Sequence, residues 1–142
     1  MTMTYFGPEQ VLPQPNDDDA PFWSHCAQQR LTFQRCTACG TLTHPPLVVC
    51  PQCQSFAREW IDAPTAAVVF SLTWVHTAAH DSVRDKVPYN VAVVEFPALP
   101  GVRLVTNIID AAPGSLAIGD TVELAWEKVA EMSLPRFRRL PA

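Results

Sequence analysis

The chain has few charged residues, few glycines and no excess of basic side chains. Charged residues make up 17% of the 142 residues, only 5 residues are glycine, and the formal net charge is −4. Proteins that bind the phosphate backbone of nucleic acids usually carry a basic balance or a basic patch. The acidic balance therefore argues against nucleic-acid binding, and the glycines form no G-x-G-x-x-G phosphate-binding pattern.

The sequence also contains no apolar run that approaches the length needed to cross a bilayer, which is about 20 residues. Residues 1–15 contain no Lys or Arg and no apolar stretch of the kind found in secretory signals. We therefore expect a cytoplasmic protein, in which paired cysteines bind metal more readily than they form disulfides.

Proline is abundant, with 14 residues. Because proline interrupts helices and is tolerated at turns and strand edges, this count favours short strands over a helical bundle. Three acidic residues followed closely by Pro21 predict a helix over 21–29. After the cysteines, β-branched and aromatic segments predict a compact antiparallel domain, with a fifth strand in either 60–64 or 132–138. The four clearest strands are 68–75, 89–96, 102–109 and 121–129.

These segments divide the chain near residue 60. Residues 1–18 carry several prolines and no periodicity, and we expect them to form a flexible N-terminal arm. Residues 19–60 contain the helix and the cysteines, and residues 61–142 contain the β domain. The last part, 134–142, holds two prolines and three arginines and is predicted to be a docked or loose tail.

Four of the five cysteines are arranged as two C-x-x-C pairs. Cys36 and Cys39 form the first pair, Cys50 and Cys53 form the second, and ten residues separate them. The two-residue spacer lets both sulfurs of a pair point at one ion, and Gly40 supplies the left-handed conformation that such a turn often needs. Four protein ligands leave no position for water or substrate, so we predict one structural Zn²⁺ ion. Iron in the same geometry stays open at this stage, whereas a redox pair would need only one C-x-x-C.

Beyond the cysteines, the residue pattern resembles the DUF35 family, whose members have a rubredoxin-like zinc ribbon followed by an OB-fold. The resemblance covers about residues 22–135 and rests on the order and spacing of many short motifs. These are Phe22-Trp23, Leu31, Gln34-Arg35-Cys36, Cys39-Gly40, Pro45-Pro46, Cys50-Pro51, Cys53, Ser55, Ser71, Thr73, Pro88-Tyr89, Val94-Glu95, Gly101-Val102-Arg103-Leu104, Asn107, Ile118-Gly119, Val122-Glu123, Leu134-Pro135 and Phe137.

The resemblance implies a mainly β fold, in which an N-terminal helix and a rubredoxin-like zinc ribbon precede a five-stranded OB-fold barrel. It also implies a non-catalytic accessory subunit that associates with a thiolase-superfamily enzyme, such as a thiolase, an aldolase or an acyltransferase, in a hetero-oligomer. The OB-fold would lie against the enzyme and help to line its channel for an acyl-CoA. The identity of the acyl group and the reaction type of the partner stay open.

Large aromatic and basic side chains are the candidates for contacts with other molecules. Phe22 and Trp23 on the predicted helix, together with Tyr89 on a predicted strand, are the candidate partner-binding residues. Three arginines near the C-terminus are candidate contacts for the phosphates of coenzyme A, because the guanidinium group suits phosphate oxygens. They are Arg136, Arg138 and Arg139.

The sequence predicts no catalytic set. His76 and His80 lie near acidic residues after a predicted strand, which is the ordinary setting of solvated loop histidines. His25 and Cys26 are adjacent on the predicted helix, where neighbouring side chains diverge by about 100° and do not face each other. Two alternatives to the accessory subunit stay open, namely a single-stranded nucleic-acid-binding OB-fold protein and an autonomous acyl-CoA-binding protein.

Overall fold

A computed structural model describes residues 5–140 of the chain. One helix precedes two β-sheets, a small antiparallel ribbon sheet and a larger, mainly antiparallel sheet that curls into a barrel. The elements are α1 Ala20–Ala27, β1 Thr32–Cys36, β2 Leu42–Thr43, β3 Arg58–Asp62, β4 Ala66–Val75, the 3₁₀ helix Asp81–Lys86, β5 Tyr89–Glu95, β6 Arg103–Thr106, β7 Ile108–Ile109, β8 Thr121–Val129 and β9 Met132–Arg139. No helix within residues 5–140 is both long enough and apolar enough to span a membrane.

Helix α1 confirms the predicted helix, shifted by one or two residues toward the N-terminus. Phe22 and Cys26 lie four residues apart on one face and are both buried. The helix ends where Gln29 adopts a positive φ of 57°. The amide of Arg30 then donates to the carbonyl of His25 at 3.0 Å, and that of Gln29 to Cys26 at 2.8 Å, which is the Schellman arrangement.

The ribbon sheet has the order β2-β1-β3, and both pairings are antiparallel. Strand β3 is the segment that sequence reasoning offered as one of two places for a fifth barrel strand. In the structure it pairs with β1 along its whole length, from Arg58 opposite Cys36 to Asp62 opposite Thr32. The ribbon sheet therefore extends slightly beyond the boundary that was predicted near residue 60.

The larger sheet confirms the five-stranded OB-fold barrel. Its order is β6-β5-β4-β8-β9-β7. The third predicted strand, 102–109, is divided at Asn107 into β6, which pairs with β5, and β7, which pairs in parallel with β9. Because β6 and β7 are successive parts of one stretch of chain, the two edges of the sheet meet at Asn107 and the barrel closes.

The C-terminal stretch corrects the prediction of a docked or loose tail. Residues 132–139 form β9, which pairs with β8 from Val129 opposite Met132 to Val122 opposite Arg139. Pro135 is accommodated in this strand, and Phe137 is fully buried. Of the two segments predicted for the fifth barrel strand, 132–138 is therefore the one that forms it. Its residue Phe137 fills the barrel interior.

The ribbon and the barrel share one apolar core. The ring of Phe33 in β1 lies 5.3 Å from that of Phe96 after β5, and the ring of Phe96 lies 6.2 Å from that of Phe137 in β9. Phe22 and Cys26 of α1 belong to the same cluster. Helix α1 therefore packs against both sheets.

The start of the chain contacts the barrel. The Tyr5 hydroxyl oxygen accepts hydrogen bonds from the backbone amide and the side-chain amide of Asn90, at 3.1 and 3.0 Å. The ring of Phe6 packs edge-on against Tyr89 with a centroid distance of 4.9 Å, and Gln10 is buried. Residues 1–4 of the predicted arm lie outside the described residues. The flexibility of the arm stays a prediction, whereas the contacts of residues 5–10 are part of the fold.

Candidate metal centre and interdomain cleft

The two cysteine pairs form matching turns. In the first, the amide of Gly40 donates to the carbonyl of Cys36 at 2.8 Å, and in the second the amide of Gln54 donates to that of Cys50 at 2.9 Å. Both donors have positive φ, 81° for Gly40 and 63° for Gln54. Sequence reasoning predicted this conformation at Gly40 but missed it at Gln54, because glutamine rarely adopts a positive φ and its presence does not indicate one.

The four sulfurs fit one tetrahedral ion. All four Sγ atoms lie within 4.8 Å of one another. The Sγ atoms of Cys36 and Cys53 are 3.5 Å apart, and those of Cys39 and Cys50 are 3.6 Å apart. Zinc–sulfur bonds of about 2.3 Å give tetrahedral sulfur–sulfur edges of about 3.8 Å, so these spacings suit Zn²⁺.

Hydrogen bonds within the cluster shift the thiol pKa values in opposite directions. In the metal-free cluster, the hydrogen bond from the backbone amide of Cys53 lowers the pKa of the Cys50 thiol to about 6. The hydrogen bond from the backbone amide of Ser55 lowers the pKa of Cys53, but the hydrogen bonds of Cys53 to the neighbouring cysteine sulfurs outweigh it and raise that pKa to about 12. Cys36 and Cys50 are buried, while Cys39 and Cys53 face solvent. The chain itself supplies all four ligands, so the centre holds a structural zinc ion and offers no open position for a substrate.

A cleft of about 770 Å³ separates helix α1 and the ribbon from the barrel. One wall comes from α1 and the segment 44–46, and the other from β5, β6 and β9. The connection 76–88 and the N-terminal segment also contribute to its lining. The lining residues are Phe6, Gln10, Val11, Pro13, Asp19, Phe22, Trp23, His44, Pro45, Pro46, Ala79, His80, Ser82, Val83, Tyr89, Arg103, Leu104, Val105, Leu134, Pro135 and Arg136.

The cleft occupies the side of the barrel on which OB-folds bind ligands. That side is formed by the second and third barrel strands and by the loop between the first and second, which here are β5, β6 and residues 76–88. Its lining is mainly aromatic and aliphatic, and its volume lies in the range of about 300–1,000 Å³ that is usual for small-molecule sites.

His44 contributes a neutral ring to the ribbon side of this cleft. The ring lies between Phe22 and Phe33, with centroid distances of 5.0 and 5.1 Å. Burial lowers the pKa of His44 from 6.5 to about 4, because an imidazolium ion would lose its hydration there. His44 therefore packs as an uncharged aromatic group near neutral pH.

Of the three candidate partner-binding residues, Trp23 and Tyr89 lie half-buried along the cleft. Phe22 also lines it but is only 3% exposed, since its ring belongs to the shared core. Trp23 packs edge-on against Phe22, with ring centroids 5.1 Å apart. The structure thus places the three residues around one cavity. Phe22 belongs to the core beneath that cavity and packs against Trp23.

The three candidate phosphate-binding arginines are not gathered into one cluster. Side chains alternate along β9, so Arg136 and Arg138 project from one face and Arg139 from the other. Arg138 and Arg139 are exposed, and Arg138 approaches Glu123 at 3.9 Å. Arg136 is largely buried and forms an ion pair with Glu127 at 3.2 Å, with side-chain exposures of 12% and 4%.

A polar network around Arg136 was missed by sequence reasoning. The Arg136 guanidinium donates to Asn107 Oδ1 at 2.7 Å and to Gln10 Oε1 at 3.2 Å. Glu127 lies between the buried residues Ala125 and Val129 on the inward side of β8. A lone glutamate at an inward position is a signal that could have revealed a buried ion pair.

Asn90 extends this network to the point where the barrel closes. Its side chain is fully buried, donates to the carbonyl of Ile108 at 2.8 Å and accepts from the Ile108 amide at 2.7 Å. These bonds replace the backbone ladder that β5 and β7 do not form directly. Asn90 therefore holds the third barrel strand in place where that strand changes partners.

His80 and His25 each have a local hydrogen-bond partner. His80 Nδ1 accepts from the amide of Ser82 at 3.1 Å and lies 2.7 Å from the Ser82 hydroxyl, at the start of the 3₁₀ helix. His25 Nδ1 lies 2.8 Å from the Thr32 hydroxyl, and its ring packs against Trp60. His80 thus begins a short helix, and His25 joins α1 to β1.

Two family models match consecutive parts of the chain. The rubredoxin-like zinc ribbon domain of ChsH2 matches residues 23–58, and the C-terminal OB-fold domain of ChsH2 matches residues 60–127. The ribbon match agrees with the four clustered cysteines and supports zinc over iron in the site. The boundary between the two matched domains falls within strand β3.

Relatives of several kinds share this organisation. A DUF35 domain-containing scaffold protein of Methanothermobacter thermautotrophicus is 33% identical over 111 residues, which cover 77% of this chain and 81% of the relative. A probable enoyl-CoA hydratase alpha subunit of Thermomonospora curvata is 42% identical over 135 residues, which cover 92% of this chain. The chain spans only 41% of the length of that second relative.

Among solved structures, a chain of the "Ltp2-ChsH2(DUF35) aldolase" superposes with a TM-score of 0.82 and 40% sequence identity. The match covers 90% of this chain and 98% of that chain. Together with the two matched domains and the scaffold-protein relative, it shows that this chain belongs to the DUF35 family.

Proposed function

We propose that this chain is a non-catalytic accessory subunit that binds a thiolase-superfamily enzyme and supports its action on an acyl-CoA or acyl substrate. The observation that carries the proposal is the match over 98% of a DUF35 chain whose structure is described as an aldolase of Ltp2 and ChsH2. The Thermomonospora relative is described as an alpha subunit, which also supports a role within an assembly.

The chemistry of the cleft agrees with a supporting role. Two of the polar residues that line it have defined structural partners: Arg136 is paired with Glu127, and His80 begins the 3₁₀ helix. The zinc centre has all its positions filled by cysteine. A mainly apolar cavity of about 770 Å³ suits an acyl group or the arm of a thioester better than a charged polymer.

We propose that Trp23 and Tyr89 form the part of the cleft that faces the partner enzyme, with Phe22 as their support. Half-buried aromatic side chains around an apolar cavity are typical of interface centres. The exposed Arg138 and Arg139, which project from opposite faces of β9, are separate candidates for contacts with the phosphates of coenzyme A. The Arg136 guanidinium is already engaged by Glu127, Asn107 and Gln10.

Affinity purification from the native host, followed by mass spectrometry and sizing, tests this proposal. We expect a thiolase-fold subunit to be recovered in near-stoichiometric amount. The variant Trp23→Ala should weaken the complex at least tenfold, because interface aromatics contribute a large share of binding energy. Phe56→Ala is the matched control, since Phe56 is 73% exposed at the ribbon and lies outside the cleft.

Recovery of a monomer without any partner would refute the accessory-subunit proposal. In that case, saturable binding of coenzyme A thioesters by the isolated chain would support an autonomous acyl-CoA-binding protein. A salt-sensitive complex with single-stranded oligonucleotides would support the nucleic-acid alternative.

A further inference from the structure

Gln34 occupies a position between the zinc centre and the cleft. It lies in β1, the central strand of the ribbon, two residues before Cys36, and is only 4% exposed. Its carbonyl oxygen Oε1 accepts a hydrogen bond from the Thr43 hydroxyl at 2.8 Å and another from the Leu47 amide at 2.9 Å. One buried oxygen thus holds two separate points of the chain.

Those two points bracket the ribbon wall of the cleft. The segment 44–46, which lines the cleft, lies between Thr43 and Leu47. The carbonyl of Leu47 is held as well, since Arg58 donates to it at 2.7 Å. Both ends of the wall are therefore fixed, and the carboxamide of Gln34 contributes to each.

Within the described residues, the Gln34 carboxamide also has an unpaired donor. Its Nε2 is buried and has no hydrogen-bond partner among residues 5–140. Gln34 borders a small void of about 10 Å³ whose lining includes Cys36 and Cys50. A void of that size holds about one water molecule. Rotation of the carboxamide would lose the hydrogen bond from the Leu47 amide, because it would place Nε2 against a group that can only donate.

We propose that Gln34 couples the zinc centre to the cleft wall. Its oxygen holds residues 43–47, and its Nε2 donates to one buried water, which in turn donates to the thiolates of Cys36 and Cys50. Four thiolates around one dication leave about two excess negative charges, and hydrogen-bond donors offset that charge. Loss of Gln34 would thus loosen the metal and the cleft wall together.

Two variants separate the two ends of the side chain. Gln34→Met removes both the acceptor and the donor at similar length, whereas the ionised side chain of Gln34→Glu keeps an acceptor for Thr43 and Leu47 but has no donor. Gln52→Met and Gln52→Glu are matched controls, because Gln52 lies between Cys50 and Cys53 but is exposed. The controls report any general effect of side-chain polarity or charge near the cysteines.

The readouts are zinc release to a chelator, the sulfur-to-metal charge-transfer band of the Co²⁺-substituted protein, and hydrogen–deuterium exchange of a peptide over residues 42–49. We expect both Gln34 variants to release zinc at least tenfold faster and to shift the Co²⁺ band. Gln34→Met alone should also increase exchange at the Leu47 amide by tenfold or more. The Gln52 variants should match the wild type within about twofold.

Wild-type zinc release from both Gln34 variants would overturn the proposal, as would protected exchange over 42–49 in Gln34→Met. Equal effects of the Gln52 variants would also overturn it. If neither Gln34 variant folds, NMR of the wild-type zinc protein decides the matter. The side-chain amide protons of Gln34 should then show magnetisation transfer to a long-lived water, and the absence of that transfer would refute the inference.

Discussion

Replacing Arg136 provides a direct test of whether this residue is structural or available to a ligand. In Arg136→Met, Glu127 would keep its charge at 4% side-chain exposure with its cation removed. Breaking one partner out of a buried ion pair costs about 3–5 kcal/mol. Asn107 and Gln10 would also lose their guanidinium donor. For a chain of this size that loss corresponds to a fall in Tm of about 10–20 °C.

Urea unfolding followed by tryptophan fluorescence measures this loss as a change in midpoint at constant slope. Arg138→Met and Arg139→Met are the matched controls, because these exposed residues lie on the same strand and should change stability by less than about 1 kcal/mol. The double variant Arg136→Met/Glu127→Leu should recover most of the loss, since it removes the unpaired charge.

A loss below about 1 kcal/mol in Arg136→Met would refute this reasoning. It would mean that the ion pair behaves like an exposed one and that the Arg136 guanidinium is free for other contacts. In that case, the original assignment of all three arginines to the phosphates of coenzyme A would regain support. Titration of coenzyme A against the assembled complex would then show weaker binding for Arg136→Met than for the wild type.

Three further predictions concern the metal, the histidine in the cleft and the closure of the barrel. Cys39→Ser should abolish binding of the one zinc ion and unfold the ribbon, because structural zinc contributes on the order of 10 kcal/mol; metal analysis and circular dichroism check this, Cys26→Ala should keep its zinc, and a folded Cys39→Ser protein would contradict it. His44 has a pKa of about 4 when folded against 6.5 as its ordinary value, so the unfolded state binds more protons in this window and stability should fall by about 3 kcal/mol as the pH drops from 7 to 4. In His44→Phe, the free energy of unfolding should change less between pH 7 and pH 4. If its pH dependence equalled that of the wild type, burial of His44 would not be the cause of the loss of stability. Asn90→Ala should cost about 3 kcal/mol by leaving both backbone groups of Ile108 unpaired in the interior, whereas Tyr5→Phe, which removes only the hydroxyl that anchors the N-terminal segment, should cost about 1 kcal/mol in the same assay.

The metal centre was predictable because its signal is local. Two C-x-x-C pairs at ribbon spacing determine both the ligands and the geometry, whatever the rest of the chain does. The barrel strands were predictable for a similar reason, since β-branched and aromatic segments favour strands on their own. What the local pattern did not reveal is the change of partner at Asn107, which divides one predicted strand into β6 and β7.

The candidate contact residues were harder to interpret, because their surroundings come from distant parts of the chain. Arg136 lies in a run of three arginines that looks like a solvated tail, yet Gln10 and Glu127 enclose it from the opposite end of the chain and from the neighbouring strand. Phe22 is four residues from Cys26, a spacing that correctly predicted a shared face. The sequence did not indicate that this face packs against the barrel as well as the ribbon.

Because Phe33 of the ribbon packs against Phe96 of the barrel, the amount of this protein in a cell should depend on the supply of zinc. Phe33 lies in the ribbon strand that ends at the first zinc ligand, and its ring covers Phe96 in the barrel. A chain that has not acquired zinc therefore exposes apolar surface in both halves, and surface of this kind directs a protein to chaperones and proteases. A cell starved of zinc would therefore accumulate less of this protein.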